Sequence, residues 1–213
     1  NIILNKISKY IITMRLPKRN KIDKKKKIDF DFEWVYEQHE SSVKPSGFWY
    51  SCYNSWYNWT EMNDGFGHHK YIHKININSK VLTDIENKNK DKLLVINNLK
   101  DFDIFNKRYG HKAVIQYPPG GSPKRRFGDP DNTYDIHPRA YKDKTKYVFI
   151  NWDKVSKDYG GIEICPYLPQ RKHYLWYSSF DAASGCIWNT KSIIKNSELI
   201  YEKKKGKYVK TNA

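Results

Sequence analysis

Between Ile28 and Glu37 apolar and acidic positions alternate, which predicts a strand carrying Phe30, Phe32, Trp34 and Tyr36 on one face. The polar run from His39 to Ser46 closes on Pro45-Ser-Gly47, and Gly47-Phe-Trp-Tyr-Ser51 then predicts a short apolar strand entering a helix. Ser51 or Asn54 is the expected cap, and Trp56 and Trp59 share a helix face at three-residue spacing. Alternation returns from Lys70 to Asn78, a strand, and Val81-Leu-Thr adds a second short strand or its continuation. Leu93, Leu94, Ile96, Leu99, Phe102 and Phe105 fit helical spacing imperfectly, with Asn97-Asn98 as a break. That pattern predicts a short strand or turn followed by a helix from Lys100 to Tyr109.

Residues Tyr117 to Lys146 differ in kind: prolines and glycines recur there around Lys124-Arg-Arg126, which predicts a long surface loop. Tyr147 to Ile150 then reads as a strand, Asp153 to Tyr159 as a short helix, and Gly160 to Cys165 as a strand ended by Pro166. A second aromatic block, His173-Tyr-Leu-Trp-Tyr177, precedes Ala182-Ala-Ser-Gly185, read as a tight turn that allows close packing. Ile193, Ile194, Leu199 and Ile200 close the fold. Short strands with few helices predict an α+β domain of mainly antiparallel sheet.

A length of 213 residues fits one domain with appendages, and an aromatic content of 15% in a chain of otherwise polar composition predicts a packed aromatic core. The net charge of +16 is unevenly placed. Residues 1–28 carry +9 and residues 201–213 carry +4, so the 172 residues between carry only +3. The expected organisation is a basic, disordered N-terminal tail over 1–28, one domain over 29–200 containing the 117–146 loop, and a basic C-terminal tail over 201–213. The chain starts at Asn1 with Met14 internal, so residues 1–13 are expected to be an upstream translation or a trimmed fragment rather than part of the fold. Cys52, Cys165 and Cys186 are odd in number and widely spaced, which favours thiols in a reducing, intracellular compartment over a disulfide framework. No apolar run reaches membrane-spanning length, and no signal peptide is read at the start. His68, His69 and His73 form the only local metal-type cluster, read as a polar loop, so no metal site is expected.

Neither a phosphate-loop motif, nor a dinucleotide fingerprint, nor a nucleophile elbow is present. Two features carry chemistry. Glu163 is a lone acid in Gly160-Gly-Ile-Glu-Ile-Cys165, and alternation sets it opposite Ile162 and Ile164, either facing solvent or held in a cleft. The block from Gly47 to Trp59 sets aromatic rings beside hydroxyls, which suits a flat heteroaromatic ligand as well as a core.

Lys44-Pro-Ser-Gly-Phe-Trp-Tyr-Ser51, the Trp/Tyr helix, Asp153 to Tyr167 and Phe180 to Asn189 together resemble a family of small phage and giant-virus proteins. That family in turn resembles the ADP-ribosyltransferase fold of the diphtheria-toxin and poly(ADP-ribose) polymerase branch. The resemblance covers roughly residues 30 to 190 and implies a split two-sheet core that binds NAD as substrate. It implies that Gly47 is the branch's strand glycine, that Trp49 and either Trp56 or Trp59 sandwich nicotinamide, and that Ser51 to Ser55 forms the helix entry. Glu163 is implied as the catalytic carboxylate. The strand that grips the ribose in that branch reads Trp34-Val-Tyr-Glu-Gln-His39 here, which leaves Tyr36, Gln38 and His39 as alternatives.

The activity so implied is transfer of ADP-ribose to a protein or nucleic-acid acceptor by a monomeric, virus-encoded enzyme, with no membrane partner. The competing class is a non-enzymatic nucleic-acid or cap-binding module, in which stacked aromatics hold bases and the tails bind polyanion. An RNA 2'-phosphotransferase-like activity ranks third, because the core is poor in arginine.

Overall fold

A computed structural model describes residues 9–12, 32–39, 42–62, 71–112, 148–205 and 207–211. The fold is α+β and its strands pair mostly antiparallel. In chain order the strands are β1 (Lys9–Ile12), β2 (Phe48–Ser51), β3 (Tyr71–Ile77), β4 (Leu82–Thr83), β5 (Asn89–Ile96), β6 (Gly110–Lys112), β7 (Val148–Ile150), β8 (Tyr159–Ile164), β9 (Ser184–Ile187), β10 (Ile194–Lys204) and β11 (Lys207–Lys210). The helices are α1 (Ser55–Met62), α2 (Leu99–Tyr109), α3 (Trp152–Asp158), α4 (Leu175–Ser178) and α5 (Thr190–Ile193).

Nine strands form one sheet in the order β11-β10-β3-β1-β2-β9-β8-β5-β4, while β6 and β7 form a separate ribbon. Among the described residues strand β1 links the β11-β10-β3 and β2-β9-β8-β5-β4 halves, so the expected division into two sheets is bridged by a strand from the N-terminal basic segment. Lys9–Ile12 is therefore ordered rather than tail, and the C-terminal basic segment likewise pairs as the β10–β11 hairpin. The rest of 1–28, the loop at 117–146, and His68 and His69 lie outside the described residues.

The parallel part of the sheet, β4 beside β5 beside β8, positions the site. Helix α2 follows β5 directly because Asn98 caps it, accepting from the Asp101 N–H at 2.9 Å. The Asn97-Asn98 break is thus a strand-to-helix junction. Both faces of this half-sheet are covered, and every residue of β8 is buried. One face packs Ile162, Ile164, Cys186 and Trp188 against Phe102, Phe105, Trp152, Val155 and Trp176. The other packs Phe48, Tyr50, Leu93 and Ile187 with Ile193 and Ile194. The buried indoles keep their polar ends satisfied: Trp152 Nε1 donates to the Ser42 carbonyl at 3.0 Å, Trp176 to Asn106 at 3.0 Å and Trp188 to the Tyr159 carbonyl at 2.6 Å.

The strand predicted over Ile28 to Glu37 is not formed at the described residues 32–37. Residues 32–39 run along the turn at 188–190, with a single bridge from Val35 to Asn189, and Trp34 is 57% exposed instead of joining an inward face. Thr190 holds this segment through bonds to the Trp34 carbonyl, and among the described residues no partner strand enforces the alternation. Ala182 to Gly185 runs into β9 and is only in part a turn. Among the described residues no helix is long and apolar enough to cross a membrane.

Candidate functional site

The register fixes a transverse row of side chains on one face of the sheet. Tyr50 stands opposite Gly185, Gly185 opposite Glu163, and Glu163 opposite Val95. Side chains alternate along a strand, so Tyr50, Glu163 and Val95 project to the same side. Gly185 makes the row work: a Cβ built on it would lie 2.4 Å from the Tyr50 ring and hydroxyl. Tyr50 therefore lies flat over a residue without a side chain and reaches the next strand, where its hydroxyl donates to Glu163 Oε2 at 2.5 Å. Burial, followed by the adjacent Glu163 charge, raises the Tyr50 phenol well above its ordinary value, so it remains a donor.

Glu163 is only 4% exposed, yet it lines a cavity of about 390 Å³ with Cys52, Tyr53, Asp84, Val95, Asn97, Asp101 and Cys165. The alternative of a half-exposed strand acid is excluded. The cavity opens at the carboxyl ends of the parallel strands β4, β5 and β8, where open sheets with parallel strands place their ligands. Its volume lies within the range of small-molecule sites. Asp84 follows Thr83, whose partner is Leu94, so one further step of the parallel register brings it level with Val95. Asp84 and Glu163 then flank Val95 two strand spacings apart, about 10 Å between Cα atoms. The Asp84 carboxyl is held below its usual range by the Asn87 side chain and by the Glu86 and Asn87 N–H groups, which keeps it ionised. Among the described residues that line the cavity the Asp and Glu side chains are Asp84, Asp101 and Glu163, and there is no Lys, Arg or His.

The other expected site residues lie elsewhere. Trp49 stands opposite Cys186, one step along β2 from Tyr50, and so projects to the opposite face from Glu163. There its ring meets Phe180 edge-on at 5.0 Å and the Lys44 ammonium at 5.5 Å. Trp49, Ser51 and Trp56 line a second cavity of only about 10 Å³, which holds no more than a single water and leaves no space for a ring. Trp56 and Trp59 do share a helix face, but they stack on each other at 4.8 Å. The Ser55 hydroxyl donates to the Ala183 carbonyl at 2.6 Å. Gly47 is required by close packing, since a Cβ would meet the Ile187 carbonyl at 2.6 Å. Gln38 is consumed structurally, donating to the Tyr36 and Ser46 carbonyls and accepting from the Ser46 N–H, while the half-buried Tyr36 packs on the core. The structure thus separates Glu163 from the implied nicotinamide sandwich.

Tyr53 is the aromatic that sequence reasoning missed. It is 60% exposed at the cavity mouth, with φ at 55°, a left-handed conformation unusual for a tyrosine. The Ser51 hydroxyl on the Tyr53 carbonyl and the Ser55 N–H on the Cys52 carbonyl hold the turn in place. The sequence signal was present, because Tyr53 lies between the strand and the helix of the aromatic block, but only the turn shows which ring faces outward.

Comparison with protein-family models, with curated proteins and with solved structures gives no match. Among the described residues no cluster of metal-ligating side chains occurs, and His73 is buried within β3.

Proposed function

We propose that this protein is an NAD-consuming ADP-ribosyltransferase-like enzyme that breaks the nicotinamide–ribose bond in the cleft containing Glu163. The observation that carries the reading is a buried carboxylate facing a ligand-sized cavity while a buried phenol donates to its other side. The nicotinamide–ribose half of NAD is cationic, and its cleavage places positive charge on the anomeric carbon. A cleft lined by Glu163, Asp84 and Asp101 and by no basic residue among those described favours that charge. Glu163 holds the ribose hydroxyl and stabilises the oxocarbenium-like centre, by the same charge logic that operates in glycoside hydrolysis. Tyr53 supplies the ring face for nicotinamide at the mouth, in place of Trp49. Asp84, kept ionised by its own turn, adds to the negative charge that faces the anomeric carbon. The anionic pyrophosphate lies outside the cleft. The three thiols suit a reducing intracellular compartment.

Nicotinamide release from NAD by the full chain tests this reading. The wild type is expected to turn over, and Glu163→Gln to lose at least about a hundredfold in kcat/KM with an unchanged fold. A wild type that neither cleaves NAD nor binds ADP-ribose overturns it. The competing class of a base-stacking module in the aromatic block is not favoured, because Trp49, Trp56 and Trp59 already contact other rings.

A further inference from the structure

The basic C-terminal segment forms a hairpin with an ordered face. In β10 and β11, Tyr201 stands opposite Lys210 and Lys203 opposite Tyr208. These four side chains project to one side and form a checkerboard of two rings and two ammonium groups, with Lys203 Nζ 5.4 Å from the Tyr208 ring centre. Glu202, the only acid in residues 201–213, projects to the other side and is met there by Lys204 at 3.5 Å. Lys205 and Lys207 add charge at the hairpin tip. Lysines alone on a terminal strand would be explained by the need to block edge-to-edge pairing. That need does not explain tyrosines interleaved with them on the same face.

We infer that this face of the β10–β11 hairpin binds single-stranded nucleic acid, with lysines on phosphates and Tyr201 and Tyr208 as stacking platforms. Charge complementarity selects a polyanion, and the rings select one whose bases are free to stack rather than paired in a duplex. The surface is independent of the cleft: β10 lies near one end of the sheet, and four strands separate it from β8. The hairpin would hold a nucleic acid near the enzyme whatever bond the cleft acts on.

Fluorescence anisotropy of the full chain with a labelled twenty-residue oligo(U), over a series of salt concentrations, tests the inference. Removing two phosphate contacts in Lys203→Gln/Lys210→Gln should lower the slope of log K against log salt by about 1.4. Tyr208→Leu should weaken binding at least about fivefold with the slope unchanged, a split that a purely electrostatic tail cannot produce. A duplex of equal length should bind more weakly than oligo(U), and Glu163→Gln should bind like the wild type. Circular dichroism and thermal melting establish that each variant is folded. Folded hairpin variants that bind oligo(U) like the wild type overturn the inference, as does equal affinity for duplex and single strand. Binding to phosphatidylserine vesicles with none to oligo(U) overturns it in favour of a membrane surface.

Discussion

The Tyr50 hydroxyl reaches Glu163 across Gly185, donating at 2.5 Å from a strand that does not pair with β8. The bond spans two strand spacings and exists because the residue between has no side chain. It holds one oxygen of the carboxylate from behind and leaves the group to face the cleft. Tyr50→Phe should therefore unfold more easily than the wild type by about 2 kcal/mol, because a buried charge-assisted hydrogen bond is lost. Its loss of NAD cleavage should be smaller than the loss in Glu163→Gln. Chemical denaturation and nicotinamide release measure the two effects, and equal loss of activity in both variants would place Tyr50 in the chemistry itself.

Gly185→Ala tests the same relationship from the middle strand. The added methyl meets the Tyr50 ring at 2.4 Å, so the ring must move and its hydroxyl must leave Glu163. The expected cost is about 1–3 kcal/mol, the usual range for overpacking a well-filled core. In a Tyr50→Ala background the clash is gone, so the same substitution should cost much less. Denaturation midpoints around the double-mutant cycle read this coupling, and additive costs would mean that the clash is relieved elsewhere.

Much of this arrangement was legible in the sequence. The Gly47 to Ser51 strand, the Lys70 to Asn78 strand and the Asn97-Asn98 break all correspond to observed features, because alternation and capping act over a few neighbours. The face assigned to Glu163, opposite Ile162 and Ile164, also follows from local alternation and is observed. What was not legible depended on pairing. Which face Trp49 shares with Glu163 is set by the register of β2, β9 and β8, three segments far apart in the chain. Over the described part of the segment, 32–37, the alternation failed for the same reason, since a single bridge from Val35 to Asn189 is the extent of its pairing among the described residues. The basic segments were read from charge as tails, although Tyr10, Ile11 and Ile12 in one and Tyr201, Tyr208 and Val209 in the other supply strand residues.

The ring at the cleft mouth gives a prediction in which stability and function move in opposite directions. Tyr53 adopts φ of 55°, which asparagine tolerates better than tyrosine. Tyr53→Asn should leave the melting temperature unchanged or raise it, while KM for NAD rises about two- to tenfold through loss of one ring contact. A raised melting temperature with unchanged KM would remove Tyr53 from the binding surface.

Trp49 provides the contrast on the other face. Trp49→Phe keeps an aromatic against Phe180 and should cost about 1–2 kcal/mol of stability, with kcat/KM for NAD within about twofold of wild type. A large rise in KM in this variant, with the fold intact, would return the nicotinamide position to Trp49 and contradict the two-face geometry.

Alkaline unfolding follows from the buried phenols. Burial raises the pKa of Tyr50, Tyr109 and Tyr177, and in Tyr50 and Tyr109 the neighbouring carboxylates Glu163 and Asp158 add to it. In the unfolded chain the same phenols ionise near pH 10. Above that pH the unfolded state holds fewer protons than the folded one, so stability falls as pH rises. Below pH 10 both states are protonated and the contribution is fully present. Denaturation midpoints should therefore stay level through neutral pH and fall steeply above about pH 10, by more in the wild type than in Tyr50→Phe. Phenolate absorbance on the same samples should show a group of tyrosines ionising only as the chain unfolds. Ionisation of all seventeen tyrosines before unfolding would mean that these phenols, Tyr50 included, are open to solvent.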